Sequence, residues 1–144
     1  MTADLLPDGR ILVTGGMDSG ANADGWDALN SVEIYDPATG KSAITGTMTD
    51  PRGFHVSSPL PDGRILVAGG WNGSQSVRSA DVVDPTTGKV SPTAPMTVPR
   101  QAQTGTALLD GRVLILGGDG LDGTSSLATA EVFVPGTPST SPSP

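Results

Sequence analysis

The sequence predicts an all-β fold built from three copies of a four-stranded unit. A nine-residue block occurs three times, as DGRILVTGG at residues 8–16, DGRILVAGG at 62–70 and DGRVLILGG at 110–118. A second block follows each of these, as VEIYDP at 32–37, ADVVDP at 80–85 and AEVFVP at 130–135. Registered copies of apolar runs between fixed turn residues are typical of a repeat architecture and exclude a disordered chain for residues 4 to about 135.

Each repeat contains the signals of four antiparallel strands. The Asp-Gly dipeptide beside an apolar run favours a hairpin, because glycine supplies a positive φ without a steric penalty. This predicts that Val56–Leu60 pairs with Arg64–Ala68, and that Thr104–Leu109 pairs with Arg112–Leu116. The VEIY-type segment alternates apolar and polar residues, as a half-buried strand does. A weak fourth strand is predicted at Ser42–Gly46 and Val90–Thr93.

Composition excludes several classes of protein. The 144 residues include 20 glycines and 13 prolines, the two worst helix formers, which argues against a helix bundle. A net charge of −7 leaves no basic face for nucleic acid, and no apolar run reaches the length of a membrane span. The chain has no cysteine, which excludes disulfides, thiolate nucleophiles, zinc–cysteine sites and iron–sulfur clusters. We expect no cofactor.

Four antiparallel strands in a unit of about 50 residues are typical of a β-propeller blade. The repeats resemble the kelch repeat, in the form common in bacterial proteins. The resemblance rests on an aromatic residue at Tyr35 and Phe133, on the Pro-Arg pairs at 51–52 and 99–100, and on three double glycines: Gly15, Gly16, Gly69, Gly70, Gly117 and Gly118. It implies a kelch-type propeller segment over residues 1–135, with blades at about 1–49, 50–97 and 98–135, and a Ser/Thr/Pro-rich linker or tail at 136–144.

The blade count predicts a partial or half propeller. The first blade is expected to have a clipped inner strand, because Met1 aligns with His55 of the second repeat. The third blade shows no outer strand before the proline-spaced tail. Three blades would form an arc with two open apolar faces. The missing blades would come from a longer chain, from a second copy or from a different chain.

We name the strands of a blade a to d from the inside outward. The b–c and d–a loops then emerge on one face, and the b–c connections differ in length between repeats, which favours this face for binding. Arginine offers a bidentate fork and tryptophan a stacking surface for a protein or carbohydrate ligand. The candidate ligand-binding residues are Arg52, Arg100, Trp71, Asn72, Asp119 and Trp26. The alternative is that each Pro-Arg pair locks the d–a turn and its arginine pairs with a loop carboxylate.

Other sites have weaker support. The carboxylates at Asp18–Asp27 and Asp119–Asp122 do not follow a calcium-loop pattern, so solvated acids are favoured. His55, the only histidine, is expected to pack on an inner strand with a hydrogen bond. The double glycines are expected to be structural, allowing close backbone approach at the end of strand b, since no helix follows them as in a phosphate loop.

These observations predict a non-catalytic binding module rather than an enzyme. The alternative is a fragment of a kelch-propeller enzyme similar to the copper-radical galactose oxidases or the sugar-acid mutarotases. The first chemistry needs tyrosine and histidine ligands and a cross-linked cysteine, whereas this chain has one tyrosine, one histidine and no cysteine. Such an active site would lie largely outside the chain. The acidic composition and Ser/Thr/Pro tail resemble those of bacterial surface or secreted proteins, so an extracellular location is suspected.

Overall fold

The computed structural model describes residues 1–19 and 27–136, and their regular secondary structure consists of β-strands alone. The strands form three antiparallel sheets, each from one sequence repeat. No helix in these two ranges is long and apolar enough to cross a membrane. The predictions for Trp26 and for the tail at 137–144 lie outside the described residues.

The first blade has four strands, β1 Thr2–Leu5, β2 Ile11–Asp18, β3 Asp27–Asp36 and β4 Lys41–Thr47, paired in that order. The expectation of a clipped inner strand was wrong. A strand a of four residues is sufficient here, because β1 pairs over its whole length with β2, from Thr2 opposite Thr14 to Leu5 opposite Ile11. It is as long as the corresponding strand of the second blade.

The second blade contains β5 Val56–Pro59, β6 Ile65–Ala68, β7 Ala80–Val83 and β8 Val90–Thr93. The third contains β9 Thr104–Ala107, β10 Val113–Leu116 and β11 Ala130–Phe133, with no fourth strand up to residue 136. The two predicted hairpins and the two predicted outer strands are confirmed. Pro59 and Pro92 lie on edge strands, where a missing N–H interrupts no ladder.

The blades are arranged side by side with their inner strands together, since β1 contacts β5 and β5 contacts β9. Two thin hydrophobic cores fill the spaces between them. One lies between blades 1 and 2 and contains Leu12, Val32 and Val67; the other lies between blades 2 and 3 and contains Leu66, Val82 and Ile115. The cores depend on Ile, Leu, Val, Ala and Met, and blade 2 contributes to both.

The outer faces of the arc remain uncovered. We define the front face of blade 1 by Leu5, Ile11, Val13, Glu33, Tyr35 and Ile44, whose cross-strand register places them opposite the side that packs on blade 2. The side chains of Leu5 and Ile44 are 77% and 72% exposed. At the other end, Leu116 and Val132 of blade 3 are also exposed. The expected pair of open apolar faces is present.

The double glycines let neighbouring blades approach closely. All six have positive φ, and the N–H of Gly70 donates to the carbonyl oxygen of Arg100 at 2.8 Å, as the N–H of Gly16 does to Arg52 at 2.9 Å. A Cβ added to Gly70 would lie 2.5 Å from the carbonyl oxygen of Gly53. These glycines therefore hold the d–a segment that opens the next blade against the end of strand b.

Replacing Gly70 by alanine should destabilise the protein more than the same change at Gly73. Both glycines have φ near 100°, but a Cβ at Gly73 meets nothing within 4 Å. We expect Gly73→Ala to lower the free energy of unfolding by about 1–2 kcal/mol through backbone strain. Gly70→Ala should lose about 2 kcal/mol more because the backbone must shift. Urea unfolding measures both, and equal losses would show that close approach is unimportant at Gly70.

Candidate functional site

A surface pocket of about 580 Å³ lies on the face predicted for binding. Its lining comes from all three blades and from both kinds of loop on that face. The residues are Met1, Met17, Phe54, Trp71, Gln101, Asp122 and Gly123. Four of the seven carry large apolar side chains, so the pocket is mainly apolar.

Trp71 is held in place by its own backbone and by a neighbouring loop. It exchanges two backbone hydrogen bonds with Gly53, at 2.7 and 2.8 Å, forming an isolated antiparallel bridge. Its ring lies against Gly123 of the third blade, where an added Cβ would be 3.3 Å from the ring. The ring is therefore positioned before any ligand arrives, and its half-buried setting leaves part of it accessible.

Phe54 lies beside Trp71 in the pocket with 57% of its surface exposed. Its φ of 53° is uncommon for a bulky residue. Ala102, the corresponding residue of the next blade, has the same φ, and its N–H donates to the Phe54 carbonyl oxygen at 2.8 Å. The unusual backbone therefore belongs to the d–a turn, whereas the exposed phenyl group is not required by it.

The residue after each double glycine lies on the face where the b–c and d–a loops emerge. Met17, Trp71 and Asp119 occupy this position in blades 1, 2 and 3. Met17 lies directly over Gly53, where any Cβ would collide with its Sδ. Asp119 forms an isolated antiparallel bridge with Gln101, which corresponds to the bridge between Trp71 and Gly53. The repeated backbone thus presents a different side chain in each blade.

The acidic group of the pocket is turned toward its own loop. The Asp122 carboxylate accepts hydrogen bonds from the N–H groups of Thr124 and Ser125 and from the Ser125 hydroxyl, each at 3.0 Å. These backbone and hydroxyl donors hold the pKa of Asp122 well below its usual range. Asp122 therefore contributes a fixed negative charge, and Gln101 supplies the other polar side chain of the lining.

The two candidate arginines lie inside the blades rather than in the pocket. Both side chains have no exposed surface. Arg52 donates to the carbonyl oxygens of Gly69 and Ser79, to the Ser79 hydroxyl and to Asp81. Its Nη2 lies 2.9 Å from the Asp81 carboxylate, which is also fully buried. This corrects the expectation that Arg52 binds a ligand on the loop face, because sheet formation brings strand c over its guanidinium.

Arg100 makes the same set of contacts one blade later. It donates to the carbonyl oxygens of Gly117 and Thr129, to the Thr129 hydroxyl and to Glu131 at 2.9 Å. Burial alone would raise the pKa of Glu131, but the N–H groups of Thr97 and Val98 and the guanidinium outweigh it and lower the pKa. Each Pro-Arg pair therefore fastens the segment entering a blade to strand c of that blade. The carboxylate comes from a strand, not from a loop as the alternative interpretation expected.

Truncating Arg52 should cost far more stability than truncating an exposed arginine. Removing one partner of a buried ion pair typically costs about 3–5 kcal/mol, because the other charge stays buried. Arg64→Ala, which breaks the half-exposed pair with Asp62 in a turn, is the matched control and should cost less than about 1 kcal/mol. Equal losses of unfolding free energy in urea would contradict the structural role of Arg52.

Asn72 and Asp119, two of the other candidate ligand-binding residues, form hydrogen bonds within their own loops. The Asn72 Oδ1 accepts hydrogen bonds from the backbone N–H groups of Ser74 and Gln75, which closes its loop. The Asp119 carboxylate accepts a hydrogen bond from the Ser126 hydroxyl at 3.2 Å. Of the six candidates, the pocket includes Trp71. Trp26 lies outside the described residues.

His55 is buried between the first two blades. Its Nε2 lies 3.0 Å from the Thr14 hydroxyl and 3.1 Å from the Thr2 hydroxyl, and the two hydroxyls lie 2.8 Å apart. Burial, with smaller contributions from the N-terminal charge and Arg52, lowers the pKa of His55 to about 3. The geometry agrees with the expected packing role, and the folded protein holds this imidazole neutral.

This histidine makes stability depend on pH. Between pH 6.5 and 3 the unfolded chain binds a proton that the folded protein excludes, so stability should fall as the pH is lowered below 6.5. The loss approaches about 1.4 kcal/mol per pH unit. His55→Gln should remove this slope, because the glutamine amide does not titrate. Glutamine is tolerated here, since Gln103 occupies the same position in blade 3. Urea unfolding between pH 7 and 5 compares the two proteins, and identical slopes would refute the assignment.

The structure does not bring the chain's tyrosine and histidine together. Tyr35 lies on the front face of blade 1, whereas His55 bonds Thr14 on the opposite side of that sheet. Among residues 1–19 and 27–136, no cluster of three or more His, Asp or Glu residues could hold a metal ion.

Comparison with known proteins identifies the repeat. A profile of the kelch motif matches residues 6–49 and 52–97, which is more than half of the chain. The chain belongs to the kelch-motif family. A search of curated proteins finds no match. Kelch repeats are generally protein-interaction modules. Blade 3, which follows the matched residues, repeats the glycine pair and the buried arginine of the second kelch blade.

The pocket lies on the loop face that the sequence analysis favoured, but the candidates named there did not include all of its lining residues. Phe54, Met17 and Gln101 were not among the candidates. The available signal was the contrast between aligned positions, since Phe54 stands where the next repeat has Ala102 and Gln101 stands where the preceding repeat has Gly53. Large side chains at positions that the fold fills with small ones indicate a role other than packing.

Proposed function

We propose that this kelch protein is a non-catalytic binding module that receives an apolar or aromatic side chain of a protein partner. The proposal rests on one observation: the exposed phenyl group of Phe54 and the positioned ring of Trp71 line the same pocket of about 580 Å³. Exposed aromatic surface that the fold does not need is typical of an interaction site.

The chemistry of the lining favours a largely hydrophobic anchor. Met17, Phe54 and Trp71 supply flexible and aromatic contact surface. Gln101 can donate and accept through its amide, whereas the Asp122 carboxylate is already engaged by its loop. An anchor with one or two polar atoms therefore fits better than a group with many.

A protein partner is favoured over a carbohydrate for the same reason. A sugar ring carries several hydroxyl groups that must each exchange water for a protein partner, and unpaired polar groups are costly on burial. A Phe, Tyr, Trp, Leu or Met side chain needs few polar contacts, and such residues are the usual anchors of protein interfaces. The chain's net charge of −7 also favours a partner with basic residues around the anchor.

A peptide library displayed on phage, selected against the immobilised chain, tests this proposal. Selected peptides should share an aromatic or aliphatic residue, and both Phe54→Ala and Trp71→Ala should weaken their binding at least about tenfold, as expected for interface hot spots. The Phe54 change should leave the fold intact, because Ala102 adopts the same backbone conformation in blade 3.

The control is Leu109→Ala, which removes an exposed apolar side chain from a turn between strands a and b on the opposite face. It should leave peptide binding unchanged. Peptides that bind the Trp71→Ala protein as well as the wild type would contradict the proposed pocket. A glycan on an array whose binding requires Trp71 would replace the protein partner by a carbohydrate.

A further inference from the structure

The arginine contacts of blades 2 and 3 define a repeated receptor. It consists of the carbonyl oxygen of the first glycine of the pair, the carbonyl and hydroxyl oxygens of a Ser or Thr, and a carboxylate on strand c. Blade 2 uses Gly69, Ser79 and Asp81, and the occupying guanidinium belongs to Arg52. The same carboxylate accepts the backbone N–H of Thr49 at 3.2 Å, so it binds the entering segment at two points.

The receptor of blade 3 is built in the same way. Gly117, Thr129 and Glu131 surround Arg100, and Glu131 accepts the N–H groups of Thr97 and Val98. Both occupying segments have the form Met-Thr-x-Pro-Arg. The arrangement therefore recognises a short peptide pattern, and the arginine is its deepest point.

Blade 1 carries the same acceptor residues without an arginine. Gly15, Ser31 and Glu33 occupy the positions of Gly69, Ser79 and Asp81 in the repeat. The oxygens of Glu33 instead accept hydrogen bonds from the hydroxyls of Ser31 at 3.2 Å and Ser42 at 2.9 Å. No lysine or arginine of the described chain forms an ion pair with Glu33.

The surface around Glu33 has the character of a face that another blade covers. Glu33 lies on the front face of blade 1, next to Val13 on one side and to the exposed Ile44 on the other. In blade 2 the corresponding row, with Val67 and Asp81, is buried against the preceding blade. When an apolar surface is covered, a carboxylate within it is stabilised by a cation that donates several directed hydrogen bonds. A guanidinium is such a cation.

We propose that the front face of blade 1 binds an arginine-bearing segment of the Met-Thr-x-Pro-Arg type, carried by a further blade outside these 144 residues. The arginine donates to Glu33, Ser31 and Gly15, and the accompanying blade covers Leu5, Tyr35 and Ile44. This interaction surface is separate from the pocket of Phe54 and Trp71 and does not depend on the function proposed for it.

A second copy of this chain does not fit the receptor. Its Arg52 and Arg100 are fully buried in their own receptors. The arginines at positions 10, 64 and 112 are paired with aspartates of their own turns. Arg78 is exposed, but it follows Gln-Ser-Val rather than a Met-Thr-x-Pro sequence. The exposed blade 3 of another copy offers Leu116 and Val132, which would cover the apolar rows of blade 1 but leave Glu33 without a cation.

A fluorescent peptide with the sequence of residues 46–54, GTMTDPRGF, tests the receptor by fluorescence anisotropy. It should bind the full chain, and a peptide with citrulline in place of arginine should bind at least about tenfold more weakly, since a charged hydrogen-bonded contact is lost. Lysine in that position should also weaken binding, because it lacks the bidentate fork. Glu33→Gln should reduce the affinity of the arginine peptide to that of the citrulline peptide.

The matched control is Asp18→Asn, which removes one negative charge at the far end of β2 and should leave binding unchanged. The difference in affinity between the arginine and citrulline peptides should be the same in Trp71→Ala, which separates this surface from the pocket. Binding that is indifferent to citrulline or to Glu33→Gln would overturn the proposal. Self-association that the peptide does not inhibit and that survives Glu33→Gln would assign the face to a second copy instead.

A fusion protein, in which the arginine segment is covalently attached to the chain, tests the receptor even if the free peptide binds weakly. Adding the sequence MTDPRGF in front of Met1 places an arginine at the same distance before β1 as Arg52 has before β5. The arginine fusion should have a higher melting temperature than a control fusion with glutamine in place of the added arginine. Glutamine is used because, like citrulline, it carries no charge. The difference should vanish in Glu33→Gln. Equal melting temperatures for the arginine and glutamine fusions would refute the receptor.

Discussion

The buried arginine at the entrance to a blade is the contact on which the arrangement of the kelch blades depends. It lies in the segment that leaves one sheet and enters the next, and its side chain reaches strand c of the new blade. Its backbone carbonyl meanwhile accepts a hydrogen bond from the double glycine of the preceding blade. One residue thus joins two sheets, by its side chain in one direction and by its backbone in the other.

The rest of the architecture follows from that junction. A guanidinium that enters a dry interface must find acceptors for its donors, and the glycine, serine or threonine, and carboxylate positions supply them together. The entering segment can lie close enough only because the paired glycines have no side chain and take positive φ. The aliphatic cores then fill the space that this junction leaves between sheets, and Phe133 packs against one of them.

Much of this organisation could be predicted from the sequence, because it is encoded locally and repeated. The hairpins, the turns at Asp-Gly-Arg and the outer strands follow from turn residues and apolar runs that recur in register. The burial of Arg52 could not be predicted in the same way, because its carboxylate partner is 29 residues away and is brought near only by sheet pairing. A signal for it existed: Glu33, Asp81 and Glu131 are acids at one position of the repeat, each with an apolar residue on either side. The pocket was harder to predict, since it is formed at Phe54 and Met17, where the repeats differ rather than agree.

Blade 2 is the only described sheet with both faces covered, so the three blades differ in how readily they can open. The end blades each share one interface, so either can open locally while the other interface persists. Opening blade 2 separates Val67 from its neighbours on one side and Leu66 from its neighbours on the other, and it releases Asp81 from Arg52 as well. The middle sheet therefore sets the cooperative unit of the molecule, and loss of its order is equivalent to global unfolding.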